Sequence, residues 1–208
     1  MENKQTDWDL YYSTRKKHLT LPRRVTLSNI LSYMKKYVGV IESAVELGGG
    51  DSCFMKYILD KNQNLKYYIV DNNKVAINKI SSEYSNNNNI VPVYADILST
   101  QLSFNADFVL SVGLIEHFNI ENTAKCIKYH FDSVKKGGKI LITFPTPTLL
   151  YKIIRYSAEI LNIWMFPDER PLLKDEVFNE IYKYGNILDY KTTYLIGLTQ
   201  IIVIAQKN

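Results

Sequence analysis

Apolar residues in this chain switch repeatedly between a helical and a strand period. Leu27, Ile30, Leu31 and Met34 fall at i, i+3, i+4 and i+7, on one helical face behind Thr26, a candidate N-cap. A short apolar run over 43–47 then enters Gly48-Gly49-Gly50, and Phe54, Tyr57 and Ile58 predict a helix beyond the glycines. A second buried run over 67–70 is closed by Asp71, after which Ala76, Ile77, Ile80 and Tyr84 return to helical spacing. Strands are predicted at 90–94 and 106–111. A helix carrying Ala124, Ile127, Phe131 and Val134 follows. It is expected to stop at Gly137-Gly138, with a fifth strand over 139–144.

Beyond Pro145 and Pro147 the pattern changes. A mainly apolar helix is predicted over about 149–165 and another over about 175–184, closed by Gly185. Two runs, 187–195 and 199–205, flank Gly197 and predict an antiparallel pair. Almost wholly apolar strands alternating with helices indicate a parallel sheet covered on both faces. The four asparagines at 86–89 read as a loop.

Composition narrows this little. The chain has 208 residues, 46% hydrophobic and 22% charged, which favours one domain with a decorated edge and excludes a disordered or fibrous chain. No apolar stretch approaches the ~18 residues of a membrane span, and no signal peptide is visible, so a cytoplasmic protein is the expectation. Two cysteines, Cys53 and Cys126, are too few for a disulfide framework or a cysteine-based zinc site. Charge changes the picture more. Of the net +4, residues 1–36 carry eight bases against three acids, +5, and the remainder is −1. An anionic partner near that segment is one reading and a solvated arm the other.

In an open α/β sheet, ligands bind beyond the carboxyl ends of the strands, near the switch in strand order. The first strand here ends in Glu46-Leu47-Gly48-Gly49-Gly50-Asp51-Ser52. Glycines there let a ligand approach the backbone, and the next helix offers free N–H groups to an anion. Asp71 should lie beside that turn, where a carboxylate can accept from both hydroxyls of a ribose. Asp96 follows the third strand and could hold an adenine amino group while Ile97 covers the ring. Three successive strand ends of this kind point to an adenosine ligand. A nicotinamide dinucleotide matches less well, because the third small position of its fingerprint falls on Cys53.

With these residues in place, the chain resembles the class I S-adenosylmethionine-dependent methyltransferases. The likeness runs over about residues 43–144, through Val45-Glu46-Leu47-Gly48-Gly49-Gly50, Ile69-Val70-Asp71 and Ala95-Asp96-Ile97. It continues through the segments 107–118 and 134–142, and it departs in placing Ser52 where the third glycine of Gly-x-Gly-x-Gly usually stands. The resemblance implies a Rossmann-like, doubly wound α/β fold with a mostly parallel seven-stranded sheet closed by a C-terminal antiparallel hairpin. It implies S-adenosyl-L-methionine as cofactor, with Gly48, Gly49 and Gly50 at the cofactor turn and Glu46 near the methionine ammonium. Asp71 becomes the ribose acid with Asn72 beside it, Asp96 and Ile97 the adenine contact, and Ser111, Val112 and Gly113 the wall near the sulfonium.

The turn after the fourth strand, Ser111-Val112-Gly113-Leu114, lacks the Asn/Asp-Pro-Pro-aromatic sequence of relatives that methylate base or amide nitrogens. No nucleic-acid partner is therefore expected. A hydroxyl on a saccharide or other small anionic metabolite, free or phosphorylated, is the expected acceptor. His117, with Glu116, is the candidate base, since an imidazole titrates near neutrality; a structural role for the pair stands beside that reading, and no metal is expected. Residues 1–40 are read as a basic and aromatic cap segment with a helix, and 41–208 as the cofactor-binding domain with an insertion or lid at about 146–185. Tyr11, Tyr12 and Arg15 of the first segment are candidate acceptor contacts, and its bases could also make peripheral contact with a membrane. The narrower likeness is to small bacterial enzymes of surface-polysaccharide synthesis. A cofactor-binding domain without turnover and an aminopropyl-transferase-like enzyme are the alternatives.

Overall fold

In the computed structural model, which describes residues 5–14, 19–195 and 198–208, seven strands form one sheet in the order β3-β2-β1-β4-β5-β7-β6. They are β1 (Ser43–Leu47), β2 (Lys66–Asp71), β3 (Ile90–Tyr94), β4 (Ala106–Val112), β5 (Val134–Pro145), β6 (Gly185–Leu195) and β7 (Leu198–Lys207). β1 to β5 pair in parallel, whereas β7 runs antiparallel between β5 and β6. The strand order reverses between β1 and β4, so a crevice opens beyond their carboxyl ends.

Strand periodicity sorts the core into two layers. Ala44, Phe108, Leu110, Leu141, Ile202 and Ile204 face one side of the sheet, where α2 (Leu21–Tyr33), α3 (Met55–Lys61) and α4 (Lys74–Glu83) bring Ile30, Ile58 and Ile80. Val45, Val109, Ile140, Ile142 and Val203 face the other, covered by α5 (Ile120–Ser133) and α7 (Lys174–Tyr182) through Ile127, Phe131, Val177 and Ile181. α2 is thus built into the core rather than set over it. Within the segment 146–185, α7 likewise covers the sheet, leaving α6 (Leu149–Ile160) and the turn after it as the projecting part.

Several element boundaries differ from the sequence expectation. α2 begins at Leu21, not after Thr26. Pro22 sits in its first turn, where no N–H is needed, and Thr26 lies buried inside the helix, donating to the Gln200 side chain at 2.9 Å. The helix carries on through one π-turn, Met34–Val38. The helix expected to stop at Gly137-Gly138 ends at Ser133, and Val134 already pairs with Ala106 as the first residue of β5. The glycines lie inside a bulge of that strand, between the Ala106 and Phe108 pairings. α6 is shorter than 149–165. Thr148 caps it by accepting from Tyr151 N–H at 3.2 Å, and Asn162, at φ 53°, turns the chain away. A further helix, α1 (Trp8–Thr14), starts where the Asp7 carboxylate accepts from Leu10 N–H at 2.9 Å.

Candidate active site

A cleft of about 530 Å³ lies at the carboxyl ends of β1, β2, β3 and β4, within the size range of small-molecule sites. Its floor begins at the β1 turn. Gly48 has φ +65° and Gly50 φ +41°, conformations that L side chains rarely adopt, so the chain can reverse tightly beneath the cleft. Glu46 enters this turn almost fully buried, with both oxygens engaged: Ser52 donates to Oε1 at 2.9 Å and Tyr67 to Oε2 at 2.8 Å. The Ser52 hydroxyl also accepts from Phe54 and Met55 N–H, each at 3.2 Å, at the start of α3.

Asp71, at the end of β2, is buried and accepts from Asn73 N–H at 2.8 Å and from the Tyr12 hydroxyl at 3.3 Å. Burial pushes its carboxyl above the usual range, and those hydrogen bonds oppose the shift. Asn72 and Ile97 line the cleft as expected. Asp96 lines it too, although its carboxylate is already held locally by Leu98 N–H and the Ser99 hydroxyl, each at 2.9 Å. The end of β4 contributes Val112, Gly113 and Leu114.

Two expected lining residues are placed elsewhere. Ser111 shares the sheet face of Val109, toward α5, and its buried hydroxyl donates to His130 Nε2 at 2.9 Å while His130 Nδ1 donates to the Cys126 carbonyl at 2.7 Å. Gly50 lies beneath Tyr12, whose phenol would overlap any Cβ added there. Tyr12 itself is buried, with Tyr11 and Trp8 beside it on α1 and all three on the cleft wall. Arg15 lies outside the described residues.

His117 also lines the cleft and follows β4 in a short 3-10 turn, Ile115–His117. Its Nδ1 faces Asp168 Oδ1 at 3.1 Å, and its ring meets that of Trp8 at a centroid distance of 4.9 Å. Burial lowers the imidazole from its ordinary value, and Asp168 partly offsets this. Asp168 also accepts from Thr6, and together the two donors hold it below the usual carboxylate range despite burial. Glu116 is 4% exposed, its Oε2 has no hydrogen-bond partner, and burial raises its pKa well above normal. Glu169 accepts from Tyr151 and is likewise raised by burial. Phe166 and Trp164 complete the wall. Arg170 anchors this loop: its backbone N–H donates to the Glu116 carbonyl at 2.8 Å, and its guanidinium grips Glu176 of α7 in bidentate fashion at 2.7 and 3.0 Å.

Asp168, Glu169 and Arg170 were visible in the sequence only as a polar stretch between Pro167 and Pro171. Nothing in local spacing brings Asp168 to His117, since 51 residues separate them. Among the described residues no group of three or more His, Cys, Asp or Glu side chains is arranged to hold a metal ion.

Residues 45–142, a little under half of the chain, match the family model described as "Methyltransferase domain". The sheet order and cleft agree with that match, and likeness of fold to solved structures extends over nearly the whole chain. The N-methyltransferase NodS of Bradyrhizobium japonicum, in complex with S-adenosyl-L-homocysteine, superposes with a TM-score of 0.69 at 10% identity, covering 89% of this chain and 87% of NodS. The fold is the Rossmann-like methyltransferase fold. Magnesium protoporphyrin IX methyltransferase of Synechocystis, with bound S-adenosylhomocysteine, shares it with a TM-score of 0.73 at 11% identity, over 97% of this chain and 93% of that one. The same enzyme with bound S-adenosylmethionine gives 0.69 at 9% identity, over 96% and 90%. No curated protein matches the sequence.

A methyltransferase domain uses S-adenosylmethionine, and the residues present fit that cofactor. The fit rests on the donor set: acids at three successive strand ends, Glu46, Asp71 and Asp96, line one cleft with a glycine turn of positive φ. Asp71 accepts from the Tyr12 phenol and from the backbone N–H groups of Asn73, Gly50 and Asn72, so a ribose hydroxyl would take the place of the Tyr12 phenol, held at 3.3 Å.

Proposed function

We propose that this protein transfers the methyl group of S-adenosylmethionine to a hydroxyl of a saccharide or other small polar metabolite. The observation that carries this reading is one cleft lined both by the glycine turn with its strand-end acids and by His117, whose Nδ1 faces Asp168. Asp71 would hold the ribose, Asp96 and Ile97 the adenine, and Glu46 the methionine ammonium side. The bound cofactor supplies a methyl carbon already activated toward in-line displacement. The protein's part is to align the acceptor and take its proton.

Asp168 accepts from Nδ1–H of His117 and so fixes the tautomer whose Nε2 is free to accept. That nitrogen would take the hydroxyl proton as the acceptor oxygen bonds to the methyl carbon and the carbon–sulfur bond breaks. Trp8, Tyr11 and Phe166 offer apolar faces on which a sugar ring can lie, and Glu169 offers a carboxylate for its hydroxyls. An anionic acceptor is less well served. Among the described residues, Arg23 is the lining cation and already donates to the Tyr11 hydroxyl at 3.3 Å, against five lining carboxylates. A place in surface-polysaccharide synthesis is in keeping with a neutral saccharide acceptor.

Labelled methyl transfer from S-adenosylmethionine to a panel of free sugars, nucleotide sugars, phosphorylated sugars and phenols tests the reading. Transfer to neutral sugars or phenols, abolished in His117→Ala, is expected. Labelling confined to amines, proteins or RNA would overturn it.

A further inference from the structure

We infer that the exposed face of α6, with the turn after it, docks on a membrane leaflet carrying anionic headgroups. Leu149, Ile153, Tyr156 and Ile160 stand at i, i+4, i+7 and i+11 and form one stripe, widened by Leu150 and Leu161. All six face solvent, Leu149 at 76% and Tyr156 at 67% exposure, whereas isolated exposed aliphatics are the rule on soluble surfaces. With 12 residues the helix extends about 18 Å, enough to lie in an interface but not to cross it. No described helix is long and apolar enough to span a membrane.

The stripe does not end with the helix. Ile163 and Met165 are both exposed and both line the cleft, so the apolar surface runs to its mouth. Pro22 and Arg23 line the same cleft, next to exposed Leu21 and Arg24. The two lips therefore present aliphatic side chains together with bases. Lys152 is exposed on α6, and the one acid of that helix, Glu159, is paired with Arg155 at 2.8 Å.

The bases on the two lips, Arg23 and Arg24 on one and Lys152 on the other, select the occupant. A second copy set against this face by a two-fold axis would bring like-charged lips together, whereas an anionic leaflet complements them. A surface helix with a broad apolar face and flanking bases is the form that lies in a headgroup layer. Resting on the function proposed above, the inference adds a substrate class: an amphipathic acceptor whose polar head enters the cleft from the leaflet.

Vesicle association is read without cofactor or acceptor, so its failure is separate from failure of the proposed chemistry. The full chain is sedimented with vesicles of phosphatidylcholine containing one-third phosphatidylglycerol, and with phosphatidylcholine alone. Ile153→Glu and Ile160→Glu change exposed positions, and unchanged thermal unfolding and S-adenosylmethionine titration would show that the fold persists. Association with the anionic vesicles is expected, several-fold weaker on neutral ones and at least fivefold weaker in either variant. Absence of association, association indifferent to both variants, or a dimer of the free protein that Ile153→Glu dissociates would each overturn the inference.

Discussion

Ser52 shows how a residue can weaken a sequence signature while strengthening a site. By sequence it is a departure from the third glycine of the cofactor turn. In the structure its hydroxyl joins Glu46 to the first N–H groups of α3, so one side chain both orients an acid and satisfies a helix end. Ser52→Ala should cost about 1 kcal/mol in urea unfolding and weaken S-adenosylmethionine binding, read by calorimetric titration. His117 behaves as a base poised by opposing effects, burial lowering its pKa and Asp168 raising it. The neutral form that the proposed proton transfer requires then persists below pH 6.5, and the acid limb of kcat should lie beneath that value. Asp168→Asn removes the raising charge and the tautomer lock, so kcat should fall at least tenfold and the acid limb should move further down. An unmoved limb would show that Asp168 serves only to hold its loop. His130 is the structural counterpart: fully buried, its pKa is pushed down to about 4. The folded state keeps it neutral while the unfolded chain protonates near 6.5, so its contribution is complete above 6.5 and lost as pH falls toward 4. The stability gap between wild type and His130→Asn should narrow across that window, by on the order of 3 kcal/mol.

At the scale of elements, strands buried on both faces were legible because burial leaves near-continuous apolar runs, as over 67–70 and 139–144. The glycine turn and Asp71 were legible for a related reason: both sit where a strand ends. Boundaries governed by non-local pairing were not. Val134 keeps the helical phase of α5 yet pairs with Ala106, because a β-branched side chain with a neighbouring strand to join gains more in the sheet than in another helical turn. α1 was hidden altogether. Trp8, Tyr11 and Tyr12 stand at i, i+3 and i+4, but seven residues are too short a window for that spacing to declare a helix, and what holds it is distant: Tyr12 to Asp71, and Asp9 accepting from Asn73 at 2.6 Å. Gly185 was read as a helix stop and in fact opens β6, where an added Cβ would overlap the Gln206 carbonyl. Gly185→Ala should therefore destabilise by roughly 1–3 kcal/mol in urea unfolding, although the strand conformation itself suits alanine.

Across the whole molecule, the parallel core and the segments that close the cleft hold by different means. β1, β4 and β5 are central and buried, whereas α1 and the loop carrying Asp168 meet over the cleft through the rings of Trp8 and Tyr11 against Phe166, with Thr6 just before α1 donating to Asp168. Hydrogen exchange should find α1 and β3, at the sheet edge, opening at much lower free energy than β4. The half of the cleft assigned to the cofactor was readable because one strand end after another lies close in sequence to its motif. The acceptor half was not, because it is assembled from residues 6–12, 116–117 and 151–169, which only the fold brings together. The central claim is that the strand-end acids hold S-adenosylmethionine, and calorimetric titration of the purified protein tests it most directly. Saturable one-to-one binding, weakened at least tenfold in Asp71→Ala with unfolding unchanged, is the expected result. No binding to the wild type, or equal affinity in Asp71→Ala, would contradict it.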